Sequence, residues 1–442
     1  MKISRKELIA FAIIMFLCPF LSCAENEVSQ PVKNTSSETL PKIQWWREAK
    51  FGLFIHWGPV SLRGTEISWS RGGKRRGPDA AFELGAISPE TYDNLFKKFN
   101  PTKFNAKEWV AIARASGAKY LIFTTKHHDG FCMFDSKLTE YKITNSPFKR
   151  DVSEELAKAC HESGLKLGFY YSLSDWHHPD YMTENHDSGY IPYMRGQLRE
   201  LCTKYGKVDI VWFDGISRSW KDWDAENLIQ MIQGLQPEVI INDRTGLPAD
   251  FDTVEQQLGN FQNHRQWESC ITMGSQWAWK PKDKIKSFKE CIRLLVSCAG
   301  GDGNLLLNVG PMSTGKIEPR QVRRLKEIGD WLKKYGQSIY GTRGGPFKPG
   351  FWGASTYKGN TIYLFIFPLD EGEKVILLPS IGKSILGSLA LTGEKVNVKQ
   401  TDKGIEITIS AFPLKGIVTI IALQLDGLVA DIDPVDMPNH SE

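Results

Sequence analysis

The apolar run VDIVWFDG, residues 208–215, ends on a carboxylate, Asp214, two residues after Trp212. Charged side chains are rarely buried unless they are paired or put to use. Other apolar runs close in the same way. FGLFIHWG ends in His56 and Trp57, and KYLIFTTKHHDGF in His127, His128 and Asp129. LKLGFYYSLSDW carries Tyr170, Tyr171 and Ser172, EVIINDR ends in Asn242, Asp243 and Arg244, and the short FDTVEQ brings Glu255. One polar ending carries little meaning, because every strand must stop on something. Six that converge on His, Tyr, Asp, Arg and Glu describe a pocket. Two carboxylates in a polar and aromatic pocket suit glycoside hydrolysis: one, ionised, attacks or stabilises the anomeric carbon, and the other donates a proton to the leaving oxygen. Asp214 suits the ionised role, since Arg244 can stabilise its anion, and Trp212 shares its strand face. A helix cap or a silent ion pair would explain Asp214 alone but not its neighbours. On a regular strand His127 and His128 point to opposite faces. Neither an H-x-H nor an H-E-x-x-H pattern accompanies them, so they read as hydrogen-bonding partners for substrate hydroxyls rather than metal ligands. No metal or other cofactor is expected.

Amphipathic helices separate these runs. NAKEWVAIARASGAK starts near Asn105 and ends at Gly117, DVSEELAKACHESG opens on Asp151 or Ser153 and closes on Gly164, and DAENLIQMIQGLQP stops at Pro237, as helix start and stop signals dictate. Apolar strands alternating with helices predict a parallel sheet covered on both faces. Over residues 42–342 this implies an α/β fold, a (β/α)8-like barrel whose site lies at the C-terminal ends of its strands. With GNLLLNVGP added, seven strands are counted rather than eight, so an irregular barrel is expected. After Tyr340 the texture changes: a Gly/Pro-rich junction, then short strands without intervening helices. Residues 343–427 therefore predict an antiparallel β-sandwich, and 428–442 a flexible acidic tail.

Composition agrees with a globular protein of two domains: 442 residues, 41% hydrophobic, 24% charged, net charge +4. No strong basic excess or module points to nucleic acid. The 14 tryptophans fill a core for the most part, but aromatic faces also pack against sugars. Lys2, Arg5 and Lys6 precede the apolar stretch Leu8–Leu21, which ends in FLSC. That is the anatomy of an export signal over residues 1–22, of the lipoprotein type, with Cys23 as the lipidated residue. The stretch is short for a membrane span. Residues 23–41 form a polar tether, and the chain is expected in the periplasm or on the outer membrane, held by its lipid. The later cysteines, Cys132, Cys160, Cys202, Cys270, Cys291 and Cys298, form no CxxC pair and fix no disulfide pairing.

Taken in order, WWREAKFGLFIHWG, KHHDGFCMFDS, GFYYSLSDW, VDIVWFDG, INDR and GNLLLNVGP resemble glycoside hydrolase family 29, the α-L-fucosidases, across Trp45 to Tyr340. The resemblance implies a retaining double displacement on terminal α-L-fucose of a fucosylated glycan. It implies Asp214 as nucleophile, and His56, His127, His128, Tyr171, Trp212 and Arg244 as sugar-binding residues. For the acid/base two glutamates compete. Glu255 is favoured by its strand-end placement, and Glu268, in QWESC, is the alternative. Where the family often has a glutamate before a tryptophan, this chain has Ser68 before Trp69. Trp69 still suits the pocket wall, and Glu66 is the nearest glutamate available to replace the missing contact. Trp277 is the expected apolar wall against the fucose methyl. A non-catalytic fucose-binding protein on the same fold is the alternative function.

Overall fold

The computed structural model describes residues 41–72, 85–215, 218–368, 375–409 and 416–437. Eight parallel strands make the first sheet: β1 (Phe51–Ile55), β2 (Tyr120–Lys126), β3 (Lys166–Ser172), β4 (Ile210–Asp214), β5 (Ile240–Ile241), β6 (Asp252–Glu255), β7 (Trp267–Thr272) and β8 (Asn304–Val309). Each pairs with its neighbour in chain order, and β8 returns to β1. Between β5 and β6 closure rests on one parallel bridge, Asn242 to Phe251, with Asp243 N–H donating to Phe251 O at 3.0 Å. The strand absent from the sequence reading is β7. Its sequence, WESCIT, puts two polar residues side by side and so breaks the apolar run. Both are fully buried.

The helices are α1 (Pro41–Ala49), α2 (Pro89–Asp93), α3 (Ala106–Ala115), α4 (Val152–Ser163), α5 (Ile191–Lys204), α6 (Ala225–Leu235), α7 (Phe288–Gly300) and α8 (Pro319–Tyr335). Local chemistry sets their ends. Asn105 and Asp151 cap α3 and α4 by accepting the N–H of Glu108 and Glu154, and Gly164 ends α4 at φ 71°, where glycine carries no steric penalty. No helix follows β5 or β6 among the described residues, which is the irregularity of the barrel. That gap matters for the site, because the β5–β6 connection carries Arg244.

Alternation sorts each strand into two faces. Leu53, Leu121, Phe123, Phe169, Val211, Phe213, Leu305 and Leu307 face outward and join the large core beneath the helices. Phe54, Tyr120, Ile122, Tyr170, Ile210, Trp212, Cys270 and Leu306 fill the barrel interior, and Ile43 and Trp46 of α1 close its N-terminal end. Gly52 is needed there: a Cβ at that position would lie 2.2 Å from the Tyr120 ring. Asp302 ties this end to the second domain. It is buried and pairs with Arg47 of α1, with the fully buried Lys50, and with Arg343 at the start of the next sheet.

That second domain has a five-stranded antiparallel sheet, of β9 (Arg343–Gly344), β10 (Gly353–Lys358), β11 (Thr361–Ile366), β13 (Ile385–Ala390) and β16 (Thr419–Leu425), and a three-stranded sheet of β12 (Val375–Leu378), β14 (Val396–Thr401) and β15 (Gly404–Ile409). Ile362, Leu364, Ile376, Leu378, Ile405, Ile407, Ile421 and Leu423 fill the space between them, giving the expected sandwich. The segment after residue 427 departs from expectation as far as it is described. Val429 is buried, and Val435 N–H donates to Pro346 O at 2.7 Å while its carbonyl accepts from Lys348 at 2.9 Å. Residues 428–437 are thus packed on the sandwich. The export signal, Cys23 and the tether lie outside the described residues. The six later cysteines are all buried free thiols. No helix among the described residues is long and apolar enough to cross a membrane.

Candidate active site

The C-terminal strand ends surround a cavity of about 680 Å³, within the usual range for small-molecule sites. Its lining includes His56, Trp69, His127, His128, Trp212, Asp214, Arg244, Glu255 and Trp277, all named from sequence. Phe54, Tyr170, Ser174, Gly215, Arg218, Asp243, Gly246, Thr253 and Cys270 complete it.

Asp214 is the last residue of β4 and is held from two sides. Oδ1 accepts from Arg244 Nη1 at 2.7 Å, and Oδ2 accepts from Tyr170 O–H at 2.8 Å. His128 Nε2 lies 3.8 Å from Oδ2. Burial by itself would raise the pKa of this carboxyl, but the charges of Arg244 and His128 and the two hydrogen bonds outweigh it and hold the pKa at about 2. Gly215 follows at φ 83°, with Ser174 so close that a Cβ would lie 2.7 Å from its hydroxyl. The chain therefore turns away directly behind the carboxylate.

Arg244 also reaches the second carboxylate. The same Nη1 lies 2.9 Å from Glu255 Oε2, and Nε donates to Thr253 Oγ1 at 2.9 Å. Two oxygens at such lengths from one nitrogen are too close together for the roughly 6.5–9.5 Å of an inverting carboxyl pair, which leaves the shorter spacing of a retaining pair. Asp214 faces inward with 18% of its side chain exposed, and Glu255 stands at the rim with 43% exposed.

The histidines present fixed faces. His56 Nδ1 lies 2.7 Å from Asn308 Oδ1, so Nδ1 carries the proton and Nε2 is left as an acceptor. Burial lowers its pKa to about 3, against the Asn308 hydrogen bond and the Asp214 charge, so the ring is neutral. Asn308 Nδ2 donates to Trp277 O at 2.8 Å, which links His56 to the tryptophan 4.7 Å away between ring centroids. His127 Nδ1 lies 2.6 Å from Ser68 Oγ, and that oxygen already accepts Asp129 N–H. Its proton is then available to Nδ1, leaving His127 Nε2–H as a donor. Burial pushes the His127 pKa well down, so this ring is also neutral. The Ser172 hydroxyl donates to Ser174 O and accepts from His128 Nδ1 at 2.7 Å. The site thus offers both an acceptor and a donor imidazole, the pattern hydroxyl groups require.

Four expectations need correction or completion. Tyr171 was expected at the sugar, but its hydroxyl donates to Gln197 of α5 behind the sheet at 2.7 Å. Tyr170 faces the cavity in its place. His127 and His128 both line the cavity because β2 ends at Lys126 after a register shift between Thr124 and Lys126, so strand alternation no longer applies to them. Glu268 is fully buried and does not line the cavity. Its oxygens accept Trp212 Nε1–H at 3.1 Å and the Tyr120 hydroxyl, so it cannot reach a glycosidic oxygen as an acid. Glu66 is turned from the cavity as well. It accepts the backbone N–H groups of Ile67, Trp277 and Ala278 at 2.8–3.0 Å, and so fixes the Trp277 segment. Ser68, in the place of the missing glutamate, orders His127.

Ligand atoms of His127, His128 and Asp214 lie within 4.8 Å of one another. A cation among them would have to displace Arg244 or Tyr170 from Asp214, whose two oxygens those groups already occupy. The cluster is better matched to hydroxyl recognition.

A parallel barrel with two carboxylates sharing an arginine at its C-terminal mouth defines a glycoside-hydrolase type of site, and comparison with known proteins narrows the class. The family described as Alpha-L-fucosidase matches residues 20–337. The plasma alpha-L-fucosidase of Homo sapiens is 30% identical over 376 residues, covering 78% of this chain and 79% of the human one. Alpha-L-fucosidase isoenzyme 1 from Paenibacillus thiaminolyticus is 36% identical with a TM-score of 0.76, covering 87% of this chain and 99% of its own. A GH29 alpha-L-fucosidase from Bacteroides thetaiotaomicron, trapped as a covalent intermediate with 2-fluoro-fucosyl fluoride, is 28% identical with a TM-score of 0.78, covering 90% and 100%. The chain belongs to the α-L-fucosidase family, glycoside hydrolase family 29.

Proposed function

We propose that this protein is a retaining exo-α-L-fucosidase acting on terminal α-L-fucose of fucosylated glycans. The observation that carries the reading is the carboxylate pair Asp214 and Glu255 on one Arg244 nitrogen. In the first step Asp214 forms a bond to the anomeric carbon while the glycosidic bond breaks, and Glu255 gives its proton to the departing oxygen. In the second, Glu255 takes a proton from water, the water oxygen bonds the anomeric carbon, and Asp214 leaves as a carboxylate. The covalent intermediate trapped in the Bacteroides relative supports this course. His56, His127, His128 and Arg244 hold hydroxyls, Trp69 and Trp212 wall the ring, and Trp277 meets the methyl group. Such an apolar contact rejects an added hydroxyl by about a hundred-fold, which limits the selectivity over galactosides. Proton NMR of early hydrolysis of an aryl α-L-fucoside is the test. Retention requires the α-anomer of free fucose to appear before mutarotation. The β-anomer first, or no release at all, overturns the reading.

The lipoprotein-type signal supports export and anchoring through Cys23. In a bacterial host supplied with labelled palmitate, the protein is expected to incorporate label and fractionate with membranes. Cys23→Ser should lose both properties. An unlabelled wild-type protein removes the anchor.

A further inference from the structure

We propose that Glu268 is a positioning residue for Asp214, acting through Trp212 from beneath the cavity floor; the inference rests on the fucosidase reading above. Glu268 lies on β7 two residues before Cys270, on the same strand face, and Cys270 reaches the cavity. Its layer is the one below. An indole has a single donor, and that of Trp212 is spent on Glu268 Oε1 at 3.1 Å. This bond fixes how the ring is turned in its own plane. Both partners of Asp214 rest on that ring. The Arg244 guanidinium carbon lies 4.8 Å from its centroid, and Tyr170 stacks on it at 5.6 Å with planes 19° apart. These same groups donate to the two oxygens of Asp214. A contiguous chain of contacts therefore runs from Glu268 through Trp212 to each lone-pair partner of the nucleophile.

The chemistry of the lower layer calls for a carboxylate. Two donors converge on Glu268, the Trp212 N–H and the Tyr120 hydroxyl. A carboxylate accepts from both, whereas a protonated acid or an amide keeps an acceptor for the indole N–H and turns a donor toward the Tyr120 oxygen, which takes away the acceptor of the Tyr120 proton. The groups facing Glu268 are Tyr120 from β2, Trp212 from β4, Arg244 from the β5–β6 connection, Cys270 on its own strand, Cys298 of α7 and Asn304 of β8. Arg244 is the cation among them. Burial dominates and raises the Glu268 pKa to about 7, against the two hydrogen bonds and Arg244. The ionised form, which holds both donors, gains above that pH and is lost below it.

Labelling of Asp214 by 2-fluoro-fucosyl fluoride isolates the attack step, because fluoride departs without a proton from an acid catalyst. Glu268→Gln, checked for cooperative thermal unfolding, is expected to be labelled about ten- to a hundred-fold more slowly. Trp212→Phe should also be slow, and the double variant no slower than Trp212→Phe alone, since both changes act through one linkage. The wild-type labelling rate should climb with pH through neutrality, and that of Glu268→Gln should stay flat. Tyr120→Phe removes the other donor to the carboxylate and should move the wild-type midpoint to higher pH. This variant serves where Glu268→Gln does not fold. Wild-type labelling in Glu268→Gln, multiplying losses in the double variant, or an unmoved midpoint in Tyr120→Phe overturns the inference. A wild-type protein that is never labelled, and releases no fucose, removes the fucosidase reading itself.

Discussion

Asp214→Gly is expected to lower turnover of an aryl α-L-fucoside by roughly four orders of magnitude, the scale seen when a residue of a catalytic unit is removed. The cause is specific to this carboxylate. It is the inward-facing member of the pair, and its anion is kept ready by Arg244, His128 and Tyr170 with a pKa of about 2. It is ionised throughout the pH range in which the folded enzyme would work, so no base is needed to activate it. Glycine leaves a small space beside Arg244 Nη1 and the Tyr170 hydroxyl, both still presenting positive charge or a proton. Azide is an anion of the size that fits there, and it should restore part of the activity. Attack from that face inverts the anomeric carbon once, so the rescued product should be β-L-fucosyl azide, identified by NMR. Substantial turnover by Asp214→Gly without azide would assign the nucleophile elsewhere.

The place of Asp214 at the cavity was legible in sequence because its strand is unambiguous. VDIVWF is apolar throughout, it ends at a glycine, and alternation puts Trp212 on the same face. The neighbouring strand gave less. In GFYYS two tyrosines are adjacent, and alternation demands that one point each way without saying which. The answer comes from register, which pairs Tyr170 with Trp212 and Tyr171 with Phe213. The histidine pair was harder still, since the register shift before Lys126 and the end of β2 leave no alternation to apply. β7 was missed for a different reason. Interior positions of a barrel near its site are polar by function, so the strand that carries Glu268 and Ser269 shows no apolar run. Glu268 entered as a candidate acid through the resemblance of QWESC to the family. Sequence spacing could place it near the site, but only the depth of its layer separates a residue under the floor from one at the mouth. In the sandwich the segment 428–437 read as solvated because apolar residues such as Val429, Ile432 and Val435 are separated by Asp431, Asp433, Pro434 and Asp436. Two of them, Val429 by burial and Val435 by pairing, are nonetheless enough to fix it to the sheet.

Glu255→Ala is expected to separate substrates by their leaving groups. An alkoxide leaving from a natural glycan needs a proton, so its release should slow by about 10²- to 10⁴-fold, the range general acid catalysis contributes. A dinitrophenolate leaves without one, and its first step should be far less affected. The second step still lacks its base. The variant should then accumulate the fucosyl-enzyme and show a burst of aglycone followed by slow turnover. Azide needs no deprotonation and should speed that second step. Here it attacks the anomeric carbon after Asp214 has already inverted it, so the product is α-L-fucosyl azide. The two variants therefore give opposite anomers of one compound: β when the missing group is the nucleophile, α when it is the acid/base. The rim position of Glu255, within 2.9 Å of the nitrogen that also binds Asp214, sets it at the open mouth of the cavity, as the proposed acid/base role requires. Glu268, sealed below Trp212, has no path to that mouth. Should Glu255→Ala yield no α-azide and retain full activity on a fucosylated oligosaccharide, the acid/base is another group, and the shared Arg244 is only a structural ion-pair relay.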